Sequence, residues 1–435
     1  MTGMSRVQIE RPQYHSSNID IINGPKRFAE AVRFIRDELG IKPFTRDELY
    51  CISGRFIGEI EAGLRHDGTS SLAMIDTKLP LLAETKLPRN TDVLVVEIGG
   101  SKIRAAVTRK GNSGKVEIKP DEGEVKKFVE KELKQKVFKS ADEFYDAVFE
   151  IIDPVVRTAK PKALSIVWSF PGEAFEREKG KGVDVISDAK LTKELIIPGI
   201  NQVPVGKAIL TRLKEKYGYE DIPLAVMNDT RAAEGGIIAT GFNFLFGRYN
   251  SESGGFDKLG DLPWIYQEID RRSTNPGKQL AEKQISGKYL GELIKIACEK
   301  LAEKGLISKQ VIYYDAEVIS RLLNITIDSE LKKESLNAYN LSILMYLVNQ
   351  ASIRSAQLAG IMAGTGIVAF PDIYRKKKIR YPIEGSVYKY IPGYQENVQY
   401  YGNFIANLYG KDIVCPQIDH AGIIGAGKVG LGLLI

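Results

Sequence analysis

Cysteine is scarce in this chain of 435 residues, which has only Cys51, Cys298 and Cys415. Thiols that are so few, odd in number and far apart argue against a disulfide framework and against a zinc site built from clustered cysteines. They are typical of a protein in a reducing compartment. We therefore expect a cytoplasmic protein.

The sequence also lacks a long uninterrupted apolar run. Residues 1–23 are polar and have no apolar core of the kind that a signal peptide requires. The most apolar long stretch, residues 341–370, is interrupted by polar residues that include Arg354 and Gln357. Because a charge at the middle of a bilayer is costly, this stretch predicts a buried or half-buried helix and no membrane partner.

An excess of charge of one sign is missing as well. The formal net charge is +6, which is small for this length, and residues 375–378 form the only basic cluster. No aromatic residues interleave that cluster, so a solvated loop is a better interpretation than a nucleic-acid site. We expect no nucleic-acid partner.

The length of the chain predicts two domains of roughly 150–250 residues each. Its apolar fraction of 43% and charged fraction of 27% are those of an ordinary globular protein. Alternating strand and helix patterns up to residue 229 indicate an α/β layer structure. The predicted segments are helices at 24–64, a connector at 68–90, strands at 92–98, 102–107, 115–118 and 163–169, a helix from a Ser140 cap to 152, a polar insert at 248–274, and helices at 280–304 and 341–363.

Three polar motifs each follow a strand-like run. They are Gly99-Gly100-Ser101, Asn228-Asp229-Thr230 and Thr240-Gly241-Phe242-Asn243. Turns rich in glycine can cradle phosphates with backbone amides, and a carboxylate between them can accept a hydroxyl proton. The combination is what phosphoryl transfer to an alcohol would need.

Each motif also has a simpler interpretation. Gly99-Gly100 can be an ordinary hairpin turn, and Asp229 can cap the helix that follows it. Glu252 and Glu282 can be solvated surface carboxylates, and Thr192-Lys193 is the least distinctive pair. In isolation, these simpler interpretations are the better ones.

The collinear order of many motifs changes that balance. Residues 97–104 resemble the first phosphate turn of the hexokinase family, and residues 275–292 are similar to the most distinctive stretch of that family. The other matching segments, in the order of the family, are 70–77, Ser169-Phe170-Pro171, Thr192-Lys193, 228–230, 240–243, 250–252, 384–389 and 425–428. A lone glycine turn would be weak evidence, whereas this collinear set is strong.

The resemblance implies the two-domain α/β fold of the actin-like ATPase superfamily, with a sugar-binding cleft between a small and a large domain. Residues 79–225 and 421–435 would form the small domain, and residues 1–78 and 226–420 the large one. The implied activity is ATP-dependent phosphorylation of a hexose, with glucose expected, at its 6-hydroxyl. The products would be hexose 6-phosphate and ADP, as in the first step of glycolysis. The implied partners are hexose and ATP, and the oligomeric state is not indicated.

The resemblance also assigns roles to residues. Asp229 would take the hydroxyl proton, Lys193 would bind sugar and stabilise charge, and Glu97 would contact Mg²⁺ through water. The implied sugar-binding residues are Ser169, Thr192, Lys193, Asn228, Asp229, Asn243, Glu252 and Glu282. The implied nucleotide-binding residues are Gly99, Gly100, Ser101, Arg104, Thr240, Gly241, Lys288, Ser386 and Gly427.

The chain departs from the family pattern at several positions. Glu97 and Glu384 stand where the family has Asp, Lys102 stands for Asn, and Ala239 stands for Gly. The changes at Glu97, Lys102 and Ala239 support a second hypothesis, a sugar-binding sensor or regulatory protein without catalysis. A third, an unrelated ATPase of the superfamily, gives no reason for the stretch at 275–282.

Overall fold

The computed structural model describes residues 25–66, 68–79, 86–99, 102–177, 181–189, 195–308 and 338–435. Four of the predicted site residues, Gly100, Ser101, Thr192 and Lys193, lie outside these ranges. The chain divides into two compact units. Unit 1 comprises Met1–Met74, Ile238–Phe244 and Ser251–Gln417, and unit 2 comprises Ile75–Ile237, Leu245–Asn250 and Ile418–Ile435.

The described chain contains twelve α-helices and fifteen strands. The α-helices are α1 Pro25–Arg33, α2 Arg46–Arg65, α3 Ala141–Val156, α4 Val205–Tyr217, α5 Asp229–Ala233, α6 Trp264–Arg272, α7 Glu282–Ile285, α8 Gly287–Glu303, α9 Ala338–Ala369, α10 Ser386–Tyr390, α11 Tyr394–Ala406 and α12 Ala421–Gly432. A π-helical segment, Phe34–Glu38, follows α1, and 3-10 turns occupy Ser253–Gly255 and Asn407–Tyr409.

The strands are mostly short. They are β1 Ile75–Asp76, β2 Asp92–Ile98, β3 Lys102–Lys110, β4 Val116–Ile118, β5 Phe128–Glu132, β6 Ala163–Trp168, β7 Gly172–Glu176, β8 Gly182–Ser187, β9 Leu224–Met227, β10 Gly236–Ile238, β11 Phe242–Phe246, β12 Tyr249–Asn250, β13 Lys378–Arg380, β14 Ile383–Glu384 and β15 Asp412–Val414.

The main sheet of unit 2 has the strand order β4-β3-β2-β6-β9-β8-β7, with β5 also paired to β3. Strands β2, β6 and β9 run parallel to one another, and β3 runs antiparallel to β2. The side chains of β6 and β9 are buried throughout, which is typical of parallel strands that are covered on both faces. Buried apolar residues of α3 and α4, such as Phe144 and Ile209, share one core with Leu94 and Ile166.

A second core of unit 2 involves the C-terminal helix α12. Ile423, Ala426 and Leu431 of this helix share a buried cluster with Val93 and Val167 of the sheet. Helix α12 therefore contributes buried side chains to unit 2 from the far end of the sequence.

The long helix α9 contributes many buried side chains to unit 1. Its residues Leu344, Leu347 and Ile361 have no exposed surface, and it packs against α2 and α11. Gly364 lies so close to the backbone of Gly402 in α11 that a Cβ atom would overlap it. These observations confirm the predicted buried helix at 341–370.

The polar residues that interrupt this helix have structural roles. The Arg354 guanidinium lies 3.6 Å from the centre of the Phe44 ring and donates to the Lys42 carbonyl at 3.1 Å. Gln357 accepts from the Phe44 N–H at 2.7 Å and donates to the Phe44 carbonyl at 3.2 Å. Both residues thus fix the segment before α2. In the part of the chain that the structure describes, no helix combines the length and apolarity needed to cross a membrane.

Most predicted segments are confirmed with shifted ends. Strand β3 continues to Lys110, and α3 begins after its Ser140 cap but extends to Val156, because Val155 and Val156 are fully buried. Two predictions were too simple. The connector at 68–90 contains β1, and the polar insert at 248–274 contains β12, a 3-10 turn and α6. Strands β1 and β12 have two residues each and pair with one another, so local periodicity could not reveal them.

The three thiols differ in accessibility, which gives a first prediction. Burial raises the pKa of the Cys298 and Cys415 thiols to about 12, whereas Cys51 is exposed. Because the thiolate is the reactive form, we expect one fast-reacting thiol in the native protein and three after denaturation in urea. Titration with a chromogenic disulfide reagent measures this. A second fast thiol in the native protein would contradict the buried positions.

Candidate functional site

Several predicted site residues of unit 2 lie at one edge of its sheet. In the parallel pairing of β2, β6 and β9, Ile98 is opposite Trp168 and Val167 is opposite Met227. The residues that follow these strand ends are Gly99, Ser169 and Asn228-Asp229. The Ser169 N–H also donates to the Ile98 carbonyl at 3.2 Å. The carboxyl ends of parallel strands thus bring three separate sequence motifs to one place.

Strands β2 and β3 pair as an antiparallel hairpin, as the simpler interpretation of this motif proposed. The Gly99 N–H donates to the Lys102 carbonyl at 3.0 Å, and β2 and β3 pair antiparallel from this point. A Cβ atom at Gly99 would lie 3.2 Å from the Lys102 carbonyl oxygen, so the turn favours a residue without a side chain. A hairpin turn is compatible with phosphate binding, which stays a prediction for Gly99.

Asn228, and not Asp229, caps the helix α5. The Asn228 side-chain oxygen accepts from the Arg231 N–H at 2.8 Å, as N-cap residues do. Asp229 is the first residue of the helix, and its carboxylate accepts from the Thr230 N–H at 2.8 Å. The interpretation of Asp229 as a cap is therefore wrong, because the cap position falls one residue earlier.

Glu97 is held by an arginine on the neighbouring strand. Nη1 of Arg104 donates to both carboxylate oxygens of Glu97, at 2.9 and 3.0 Å. Nε of Arg104 donates to Glu130 of β5 at 2.6 Å, and Nζ of Lys102 donates to the other oxygen of Glu130 at 2.7 Å. Arg104 thus bridges two carboxylates, and its contact with the nucleotide phosphates stays a prediction.

The electrostatic surroundings of Glu97 connect it to Asp229. Burial raises the pKa of Glu97, the bond from Arg104 opposes this, and the negative charge of Asp229 adds to the rise. The two carboxylates are therefore close enough to interact. Within the described ranges, no group of three or more His, Cys, Asp or Glu side chains is arranged to hold a metal ion.

In unit 1, three predicted sugar-binding residues surround the turn between β10 and β11. Nδ2 of Asn243 donates to Glu252 at 3.1 Å, and the Asn243 oxygen accepts from the Ser253 N–H at 3.0 Å. The Phe242 N–H donates to Glu282 at 3.2 Å. Glu252 has a left-handed backbone with φ of 52°, which few residues other than glycine adopt. Asn243, Glu252 and Glu282 are thus linked through one short segment.

A buried ion pair fixes the segment before Glu282. Nζ of Lys283, which is 2% exposed, donates to Asp270 of α6 at 2.6 Å and to the Asn275 carbonyl at 2.9 Å. Asp270 also accepts from the Gly277 N–H at 3.0 Å. The stretch at 275–283 therefore has a structural role in placing Glu282, which begins α7.

The remaining predicted nucleotide-binding residues differ in solvent exposure and in the element that carries them. Thr240 and Ser386 are exposed, the latter as the first residue of α10. Lys288 is an exposed residue of the first turn of α8, with Nζ 5.1 Å from the centre of the Tyr289 ring. Gly427 lies within α12 against Thr108 of β3, where a Cβ atom would overlap the threonine side chain. Close helix packing is therefore one reason for glycine at 427, and a nucleotide contact there stays a prediction.

The sequence interpretation missed Glu130 and Asp270. Each looks like an ordinary surface carboxylate in the sequence. Glu130 is the direct cross-strand partner of Arg104. Only the pairing of β3 with β5, which joins segments more than twenty residues apart, identifies it. Asp270 could have been suspected from Lys283, whose charge needs a partner if it is buried.

Two family models, both described as hexokinase, match this chain. One matches residues 41–233 and the other residues 248–431, so together they span most of the chain. The matched ranges include both sets of residues described above.

Over the aligned residues, the curated relatives are about a quarter identical to the chain. Human hexokinase-1 is 26% identical over 406 residues, covering 80% of this chain and 42% of the relative. Mouse hexokinase HKDC1 is 28% identical over 301 residues, covering 60% of this chain and 31% of the relative. The hexokinase of Kluyveromyces lactis is 24% identical over 451 residues, covering 89% and 87%. The chain thus spans less than half of the mammalian relatives.

Solved structures agree on the fold. A hexokinase from Schistosoma mansoni, solved with glucose, superposes with a TM-score of 0.71 at 16% identity, covering 93% of this chain and 99% of that one. A second hexokinase structure also gives a TM-score of 0.71, at 18% identity, covering 94% and 99%. The fold is therefore the α/β fold of these hexokinase structures. With both family models matching in their order along the sequence, the chain belongs to the hexokinase family.

Proposed function

We propose that this protein transfers the γ-phosphoryl group of ATP to the 6-hydroxyl of a hexose, with glucose as the expected substrate. The observation that supports the proposal most is the edge of the unit 2 sheet, where Asp229, Ser169 and Gly99 follow parallel strands and Glu97 is the last residue but one of β2. The products would be ADP and hexose 6-phosphate, as in the first step of glycolysis. A cytoplasmic location remains part of the proposal.

In the proposed reaction, Asp229 accepts the proton of the attacking hydroxyl. Its carboxylate is half-buried and is oriented by the Thr230 N–H. Asn228 fixes the start of the same helix through its bond to the Arg231 N–H. A base held in this way can act on a hydroxyl within hydrogen-bond reach. Lys193 is proposed to bind the sugar and stabilise developing charge.

The sugar would be recognised by carboxylates and amides, because its ring presents uncharged hydroxyl groups. Glu252, Glu282 and Asn243 supply such groups in unit 1. Ser169, Thr192 and Asn228 are also proposed to contact the sugar. A wrong isomer would leave some of these polar groups unpaired, which lowers affinity for it.

The proposed nucleotide contacts combine turns and helix starts. Backbone amides and hydroxyl groups of Gly99, Gly100, Ser101, Thr240 and Gly241 would hold phosphates, as anion-binding turns do. Lys288, Ser386 and Gly427 are proposed to complete these contacts. Unit 2 would correspond to the small domain of the family and unit 1 to the large one.

The surroundings of Glu97 are compatible with a Mg²⁺ ion that is bound to the nucleotide and contacts Glu97 through water. The interacting negative charges of Glu97 and Asp229 would favour a nearby cation, and a carboxylate that accepts two bonds from Arg104 retains lone pairs for metal-bound water. When bound, the ion neutralises charge on the β- and γ-phosphates. The residues of this chain would orient it and the sugar, and would accept the hydroxyl proton.

A sensor without catalysis is the second candidate. It is favoured by the ion pair between Arg104 and Glu97, since this engages the acidic residue that the family uses for metal placement. Measuring ADP release with glucose, mannose, fructose, galactose and glucosamine separates the candidates. The kinase proposal predicts ADP release with at least one of these hexoses. Hexose binding without ADP release would support the sensor instead.

Substitution of Glu97 tests how the metal is used. Glu97→Ala should raise the Mg²⁺ concentration needed for half-maximal rate, because water bound to the metal loses an acceptor. Glu97→Asp should change activity only modestly, because the charge is retained. Titration of rate against Mg²⁺ for the two variants and the wild type measures both effects. An inactive wild type that Glu97→Asp activates would contradict the kinase proposal.

A further inference from the structure

Four charged residues beside the Gly99 turn form one connected network. Glu97 and Glu130 are its anions, and Lys102 and Arg104 are its cations. Arg104 contacts both carboxylates, and Glu130 contacts both cations. Two positive and two negative groups therefore neutralise one another at the strand ends that flank the turn.

Glu130 is the residue that makes this balance possible. It is opposite Arg104 in the antiparallel pairing of β3 and β5, and its side chain is 28% exposed. The bond from Lys102 lowers the pKa of Glu130, burial opposes this, and Arg104 lowers it further. Glu130 is therefore ionised at neutral pH and cancels one positive charge.

The neutralisation of positive charge by Glu130 matters because of the position of Lys102. Lys102 stands where the family has an uncharged Asn, so it brings an extra positive charge to the turn. Its Nζ lies 2.7 Å from Glu130. Without Glu130, both Lys102 and part of the Arg104 charge would be available to a phosphate group at the turn.

We propose that Glu130 sets the affinity of the Gly99 turn for nucleotide phosphates, by cancelling the charge of Lys102 and sharing Arg104 with Glu97. Glu130 is a positioning residue in this proposal, since it acts through the two cations and touches neither substrate. The inference rests on the proposed binding of nucleotide at this turn. It explains why the chain carries Lys102 with a carboxylate on the adjacent strand.

Calorimetric titration with ADP and Mg²⁺, without sugar, tests the inference independently of turnover. Glu130→Gln should bind ADP about 3- to 10-fold more tightly at low salt. The substitution removes the carboxylate that balances Lys102, so the positive charge of Lys102 then acts on the phosphates. The difference should shrink in 0.5 M salt, where charges are screened over a few Å. Lys102→Asn should weaken binding, and the double variant Lys102→Asn/Glu130→Gln should return close to the wild-type affinity.

Asp92→Asn is a matched control. Asp92 pairs with Arg109 across the same two strands, β2 and β3, at the end away from the turn. Its substitution should leave ADP affinity unchanged, and thermal unfolding should show that each variant folds. Unchanged or weaker ADP binding by Glu130→Gln, with normal wild-type binding, would overturn the inference alone. If neither the wild type nor any variant binds ADP, both the inference and the proposed function fail.

Discussion

Replacement of Asp229 by Asn should lower kcat about 10²- to 10⁴-fold, the range expected for loss of a general base. The amide retains the size of the side chain and an oxygen that can accept from the Thr230 N–H, as Asp229 does at 2.8 Å. It cannot take a proton from the sugar hydroxyl. Because Asn228 caps the helix, the local backbone should be preserved. We therefore expect hexose affinity to change little.

The measurements are kcat from ADP release and hexose affinity from calorimetry. Asp221→Asn serves as a control in the same unit, since Asp221 pairs only with lysines at the surface in the described structure. It should leave kcat unchanged. If Asp229→Asn kept more than about a tenth of the wild-type kcat with a normal pH profile, Asp229 would not be the base.

Substitutions of Glu252 and Glu282 should act on the sugar and spare the nucleotide. An unpaired sugar hydroxyl costs about 1–3 kcal/mol, so Glu252→Ala or Glu282→Ala should raise the hexose KM roughly 5- to 150-fold. The KM for ATP should stay nearly constant. Glu292→Ala, on the exposed side of α8, should leave both values unchanged. Steady-state kinetics with each substrate varied in turn measures these effects.

A comparison of Glu282→Ala with Glu282→Gln distinguishes a loss of sugar recognition from a defect in folding. Glu282 accepts from the Phe242 N–H at 3.2 Å, and Gln can still accept this bond whereas Ala cannot. If the charge itself contacts sugar, both variants should raise the hexose KM, with the larger change for Ala. Equal changes in the KM of both substrates would indicate a defect in folding instead.

The sequence predicted those elements whose apolar residues have a clear local spacing. Strands β2, β3 and β6 and helices α3 and α9 contain long runs of apolar residues with clear spacing, and all were predicted. Strand β1 pairs with β12 through Ile75 and Asn250, which are distant in sequence, so its absence from the prediction has a tertiary cause. Strand β12 also pairs with its neighbour β11, but its two residues are too few to show a period.

Local sequence patterns were also insufficient to predict some contacts of the candidate site. Motifs identified Glu97, Asp229, Glu252 and Glu282 because their neighbours in sequence are distinctive. They could not show that Arg104 is shared between two carboxylates, since Glu130 is brought to it only by the register of β3 and β5. The choice between Asn228 and Asp229 as helix cap also depends on backbone geometry. Residue type alone favours both almost equally.

The contribution of α12 to unit 2 has a consequence for the order of folding. Residues 75–237 supply the sheet, but Ile423, Ala426 and Leu431 of α12 come from the end of the sequence. During synthesis, the apolar face formed by Val93, Val167 and their neighbours is made long before the helix that covers it. Contacts between such distant segments form slowly and leave apolar surface exposed meanwhile. The nascent chain therefore exposes this apolar face until α12 has been made.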